Sequence, residues 1–459
     1  MMHCCDDFVL KRKREDLNAI PGRHLVLNFD VNKTIVMSDA ATGKSLRDIA
    51  NHVLASSCWG HVDASGESAT WSCTGQMPST KRLKPELVSY AEFLEQIMPG
   101  KDNKERRESL WHRFTAQGQP GEAFQPHCEA FLRELTLPDD IAGTEAAKAA
   151  GLSQDAFIIP AFFELMLHLK KTNRLFSLVF RTFGTDLPDV AQEFNAFCEG
   201  KHPLFPEAVL DGRDGKPDYR IDFEDCNKFG TLFRSDASAA GTALVLGTLK
   251  QPKLSDGLEF YADSGKFPKL RVVSGGIGIV ADELCRLSGE PGTLALRDYF
   301  PCWREMGMGE ASPNGGKLMI VDPRPSSRLL PVFFDDNITY KSTRIVDVRD
   351  ARRLEKPLWI QYVLPCHVVR AEPLEAVSDR RYFIKHVERL SIAYEARLAA
   401  QERLRALLRK AIVANMFKNI PSEPVCKRDY SSWSAIQVPA GDYSLAEGHA
   451  EIEPDDYLG

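Results

Sequence analysis

Three pieces of the chain carry residues suited to phosphate or metal chemistry, and each is preceded by an apolar run of strand length. Asp30-Val31-Asn32-Lys33-Thr34 follows His24-Leu25-Val26-Leu27-Asn28-Phe29, Thr182 follows Phe176-Ser177-Leu178-Val179-Phe180-Arg181, and Asp335-Asp336 follows Leu329-Leu330-Pro331-Val332-Phe333-Phe334. In an open α/β sheet the carboxyl ends of neighbouring strands open onto one crevice. Residues this far apart in the chain can therefore meet at a single rim.

A carboxylate that attacks phosphorus forms an aspartyl-phosphate and splits one difficult displacement into two easier ones. Asp30 is the candidate nucleophile. Bringing that anion up to a phosphate calls for a cation, and Mg2+ prefers carboxylate oxygens and water. Asp30, Asp335 and Asp336 would supply the oxygens. Thr182 and the backbone N–H groups beside it would hold phosphoryl oxygens, with Thr34 and Gly184 completing the substrate contacts. Arg181 offers a guanidinium fork matched to phosphate. A lysine would neutralise charge that develops in the transition state, and Lys317, in Asn314-Gly315-Gly316-Lys317, is the candidate. Each residue also has a plainer reading. An aspartate after a strand is commonly a turn residue, Arg181 could be a structural ion pair, and Lys317 a solvated loop lysine.

Taken in order, these residues resemble the haloacid-dehalogenase-like (HAD) superfamily. Asp30-x-Asn32-x-Thr34 is similar to its first motif, D-x-D-x-[TV], Thr182 to its second, Lys317 to its third-motif lysine, and Asp335-Asp336 to its acidic fourth. The resemblance implies an α/β fold with a Rossmann-like three-layer core around a parallel sheet, plus large, mostly helical cap insertions. It implies a Mg2+-dependent phosphatase or phosphotransferase acting on a small phosphorylated substrate or a phosphoprotein. Asp30, Asn32, Thr182 and Lys317 would be catalytic, and Asp30, Asn32, Asp335 and Asp336 would hold the metal. The core would be 23–37, 151–200 and 317–378, with 38–150 and 201–316 as insertions.

One position departs from the pattern. The family's second aspartate protonates the leaving group and later activates water, and Asn32 stands in its place. An amide cannot shuttle a proton at neutral pH, and general acid–base help is worth ~10²–10⁴-fold in rate. Three outcomes stay open: activity only on good leaving groups, substitution by a nearby acid such as Asp39 or Asp186, or a phosphate- and metal-binding scaffold with little turnover.

The elements that must position these residues are partly legible. Residues 85–98, 105–114, 124–135 and 156–169 read as helices, the last strongly apolar. Phe183-Gly184-Thr185-Asp186-Leu187-Pro188 reads as a strand-to-helix turn with a capping residue, leading into a helix over 189–199. Residues 201–316 hold turn clusters, strands and a helix near 280–288. From 379 to 418 a long helix is expected, with Phe383, Val387, Leu390, Tyr394 and Leu398 at steps of three and four. Residues 1–22 read as a polar leader and 419–459 as a loose acidic tail.

Three further signals carry less. Ala41-Thr42-Gly43-Lys44-Ser45 resembles the end of a phosphate-binding loop but has Ser38 where glycine is required. Gly276-x-Gly278-x-x-Ala281 meets a dinucleotide fingerprint only loosely and reads better as a tight strand–helix turn. Arg297-Asp298-Tyr299-Phe300-Pro301-Cys302-Trp303 is either a surface ion pair over an aromatic cluster or a substrate contact near Lys317.

The net charge of −6 argues against a protein that coats nucleic acid. No run approaches the ~20 apolar residues needed to span a membrane. The expected compartment is cytoplasmic, with Lys11-Arg12-Lys13-Arg14 leaving a nuclear address open. The cysteines form no CxxC pair, so a structural zinc site is not expected.

Overall fold

The computed structural model describes residues 23–37, 44–152 except 67 and 101, 158–309 except 237, 239, 264 and 268, 315–339 except 325, and 345–418. The polar leader with Lys11–Arg14, Asp39, Gly43, Asn314 and the acidic tail lie outside the described residues.

In chain order the strands are β1 (His24–Asp30), β2 (Trp59–Asp63), β3 (Thr70–Cys73), β4 (Val88–Ser89), β5 (Phe176–Thr182), β6 (Phe229–Arg234), β7 (Thr242–Leu246), β8 (Arg271–Val273), β9 (Gly292–Asp298), β10 (Lys317–Val321), β11 (Leu329–Asp335), β12 (Val346–Asp350), β13 (Arg353–Pro357) and β14 (Val368–Arg370). Eight of them make one sheet in the order β14-β11-β1-β5-β9-β6-β7-β8. Every pair from β14 to β6 is parallel, and β7 and β8 are added antiparallel.

The central strands β1 and β5 are buried along their whole length. A parallel strand covered on both faces needs apolar side chains on both, which is why these segments read as near-continuous apolar runs. Pro331 interrupts β11 without disrupting it, because pairing with β14 begins two residues later, at Phe333↔Val368. Proline lacks a ladder donor and is tolerated where a strand side is unpaired.

Helices Pro160–Lys171 and Leu187–Cys198, with the first half of Tyr382–Lys418, cover one face of the sheet. There Phe162, Phe194, Phe383, Val387 and Leu390 pack on Leu25, Leu27, Phe29, Phe180 and Phe334. The opposite face, with Val26, Val179, Leu294 and Leu296, is covered by helix Ile277–Ser288 and by Leu318 and Ile320 of β10. This is an α/β architecture with a mostly parallel central sheet, compatible with a Rossmann-like core. On the second face, part of the covering layer is itself a small sheet, β10-β12-β13.

Residues 201–316 supply β6 to β9, so this segment extends the central sheet. Residues 38–150 hold helices and a second small sheet, β3-β2-β4. The helix expected over 85–98 begins later, at Tyr90, because Ser89 and Glu92 form a capping box that fixes its start. Ser45 likewise caps helix Leu46–Ser57 together with Asp48, so Lys44-Ser45 belong to a helix start. Gly275 and Gly276 take φ of 108° and 96° at the turn from β8 into helix Ile277–Ser288, a region open to glycine.

Among the described residues, those up to Ala400 form one compact unit and those from Gln401 a second. In the second, residues 402–413 of the long helix are exposed. Among the described residues no helix is long and apolar enough to cross a membrane.

Candidate functional site

Strand order reverses at β1. The chain passes from β1 to β5 on one side, builds outward, and returns to β11 on the other. In open α/β sheets the crevice beyond the carboxyl ends at such a switch point is where ligands bind. The registers Phe29↔Phe334 and Asp30↔Arg181 bring Asp30, Asp335 and the end of β5 together at that rim.

The phenylalanines that precede the two aspartates fix the strand ends. Phe29 stacks on Phe334 at 4.7 Å, and Phe383 meets both rings edge-on at 5.3 Å. Phe162 closes on Phe29 at 5.0 Å. Thr34 then ties the two following loops. Its hydroxyl donates to Asp30 Oδ2 at 3.3 Å and accepts from the Asp336 N–H at 3.2 Å. Between them Lys33 adopts φ 59°, a left-handed conformation in the tight turn after β1.

Asp30, Asp335 and Asp336 each offer one carboxylate oxygen within 4.8 Å of the others, a grouping able to hold a metal ion. Asp30 and Asp335 are buried and Asp336 half-buried. Lys317, the first residue of β10, is buried beside them. Its ammonium donates to Asp30 and, at 2.8 Å, to Asp335 Oδ2. The other oxygen of Asp335 accepts from the Asn337 N–H at 2.9 Å.

The charges do not balance within this cluster, where three carboxylates face one ammonium. Burial pushes the Asp30 carboxyl well above its usual range, and Asp335 and Asp336 push the same way against Lys317. Asp336 is raised to about 7, first by burial and then by Asp335. Burial alone would lower Lys317, but the flanking Asp30 and Asp335 outweigh it and raise its pKa. The cluster therefore favours a bound proton, and its surplus negative charge could be met by a cation.

At the end of β5 the Thr182 hydroxyl accepts from the Gly184 N–H at 2.8 Å and faces Asp186 Oδ2 at 3.4 Å. Asp186 stands at the N-cap of helix Leu187–Cys198 but makes no side-chain cap bond. Its carboxylate instead accepts from the Asn32 amide at 2.9 Å. A Cβ on Gly184 would crowd the Asp186 carboxylate and force that side chain to shift. Asn32 Oδ1 is buried and has no hydrogen-bond partner, the kind of unmet acceptor that calls for an ion or a donor.

Arg181 requires a correction. Its guanidinium makes a buried, bidentate pair with Asp298, at 2.9 and 2.5 Å, and donates to the Leu318 carbonyl at 2.8 Å. It is 2% exposed and committed to protein acceptors, so it ties β5 to β9 and β10 and is not a phosphate contact. Asp298 was not singled out as its partner, because a pairing across 117 positions leaves no periodic trace in the sequence. A similar buried pairing joins Arg234 and Arg349 to Asp347. Phe183 was also missed as a neighbour of the site. Its ring centroid lies 5.2 Å from Lys317 Nζ.

The fold and site thus define an open α/β protein with a buried acidic cluster and a lysine at its topological switch point. No protein-family model, curated protein or solved structure matches the chain.

Proposed function

We propose that the protein is a HAD-type phosphatase or phosphotransferase that works through an aspartyl-phosphate on Asp30. The observation that supports it most is the convergence of Asp30, Asp335 and Asp336 around Lys317 at the sheet's switch point. The donor set suits Mg2+: hard carboxylate oxygens, surplus negative charge and the unpartnered Asn32 Oδ1. Asp30, Asp335 and Asp336, with Asn32, would hold it, and when bound it offsets the repulsion between Asp30 and a phosphate dianion.

In the first step an Asp30 oxygen bonds to phosphorus as the ester P–O bond breaks. Lys317, already between Asp30 and Asp335, neutralises charge on the transferring group. Thr182 and the N–H groups of its turn hold phosphoryl oxygens. Asp186 takes the role that Asn32 cannot fill. It gives a proton to the leaving oxygen, then takes one from the water that releases phosphate and regenerates Asp30. The Asn32 amide holds the Asp186 carboxylate in reach.

Asp30→Asn is expected to abolish Mg2+-dependent hydrolysis of p-nitrophenyl phosphate while leaving the circular-dichroism spectrum unchanged. Full activity in that variant would show that Asp30 is not the nucleophile. The second reading, a phosphate- and metal-binding scaffold with little turnover, is motivated by the amide at position 32. Mg2+-dependent turnover well above background would remove it.

A further inference from the structure

Phe183 directly follows Thr182, with its ring beside Lys317 Nζ. It is held there from behind. Trp303, 4% exposed, lies nearly parallel to it at 6.0 Å and 12°. Trp303 is in turn buried among Met319, Val321, Phe333 and Ile338. Phe300 meets Phe183 at 5.8 Å and 63°, yet is 37% exposed. Packing accounts for Trp303 and for one face of Phe183. Phe300, at the start of helix Phe300–Glu305, packs on the Phe183 edge and is the most exposed of the three rings.

Lys317 donates to the carboxylate that would attack phosphorus, and its ammonium lies 5.2 Å from the Phe183 ring centroid. The organic part of a bound ester must leave the acidic cluster on some side. On the side of Lys317 it would meet the half-buried ring of Phe183, against which Phe300 packs. Offset and edge-to-face contacts favour another ring over an alkyl or hydroxylated chain, and apolar walls with a few polar groups are how ligand sites set orientation.

We infer that Phe183 and Phe300 form an aromatic shelf that selects phosphomonoesters whose organic part is aromatic. This rests on the phosphoryl-transfer role proposed above. Phe183 and Phe300 act as specificity residues and take no part in the bond-breaking step.

The test is calorimetric titration of the full chain with Mg2+, using phenylphosphonate, methylphosphonate and inorganic phosphate, none of which has an ester bond to cleave. Phenylphosphonate is expected to bind about tenfold tighter than methylphosphonate. Phe300→Ala should bring the two within about twofold while leaving methylphosphonate unchanged, and Phe300→Tyr should keep the preference. Equal affinities in the wild type, or a preference that survives Phe300→Ala, would overturn the shelf and leave the phosphate site standing. Failure of all three probes to bind would overturn the phosphoryl-transfer role, and the shelf with it. A thermal melt of each variant shows that loss of binding is not loss of fold.

Discussion

Lys317 carries the electrostatics of the site. With it in place, Asp30 and Asp335 share a buried counter-charge. Without it, two carboxylates are left uncompensated in the interior, and breaking a buried pair in this way typically costs ~3–5 kcal/mol. Lys317→Met is expected to lower stability by about that much in urea unfolding, and added Mg2+ should restore part of it. A change near zero would mean that the carboxylates are already neutralised by other means. Asp186 and Asn32 are tested together. Asp186→Asn should reduce turnover by ~10²–10⁴-fold on alkyl phosphates, where the leaving oxygen needs a proton, and far less on p-nitrophenyl phosphate. A uniform loss across leaving groups would assign Asp186 a structural role. Asn32→Asp should raise turnover on the poor leaving groups.

At the scale of elements, the site depends on strand ends held by aromatic packing. Phe29 and Phe334 each precede a cluster aspartate and are pinned by Phe162 and Phe383. Phe334→Ala opens a cavity in that stack and is expected to cost ~3–5 kcal/mol. Because the cavity lies one residue from Asp335, Mg2+ affinity should fall as well. An equally destabilising substitution remote from the rim, such as Phe205→Ala, should leave metal affinity intact. These strands were legible for a physical reason: β1, β5 and β11 are buried on both faces, so apolar runs ending in a polar residue mark them. The stripe Phe383, Val387, Leu390, Tyr394, Leu398 was legible as the packed face of a helix. The entry of β6 to β9 into the same sheet was not, because strand pairing across long loops has no local signature. Nor was the side-chain direction of Asp186. A helix-start aspartate reads as a cap, and only the folded chain brings Asn32 to it.

For the whole molecule, the acidic cluster links stability to pH. Asp336 titrates at about 7 in the folded state, against 3.8 for a free carboxyl, and Asp30 is shifted the same way. The folded state therefore holds these protons more tightly than the unfolded chain. The contribution of Asp336 to stability is full below the unfolded value and is lost as pH rises through about 7. A metal ion competes with the same protons. The rise in melting temperature caused by Mg2+ is thus expected to be larger at about pH 8 than at about pH 6, and equal rises would contradict metal binding at these carboxylates. The rim itself was legible, since Asp30, Thr182, Lys317 and Asp335-Asp336 were picked out by residue type and strand context. The chain's balance of buried charge was not, because Arg181, Asp298, Arg234 and Asp347 find partners only in three dimensions. The most direct test of the shared site is a crystal structure of the protein soaked with Mg2+ and fluoroberyllate. The expected result is fluoroberyllate bonded to an Asp30 oxygen, with the ion touching Asp335 and Asp336. Fluoroberyllate elsewhere, or an ion that leaves these carboxylates untouched, would contradict it.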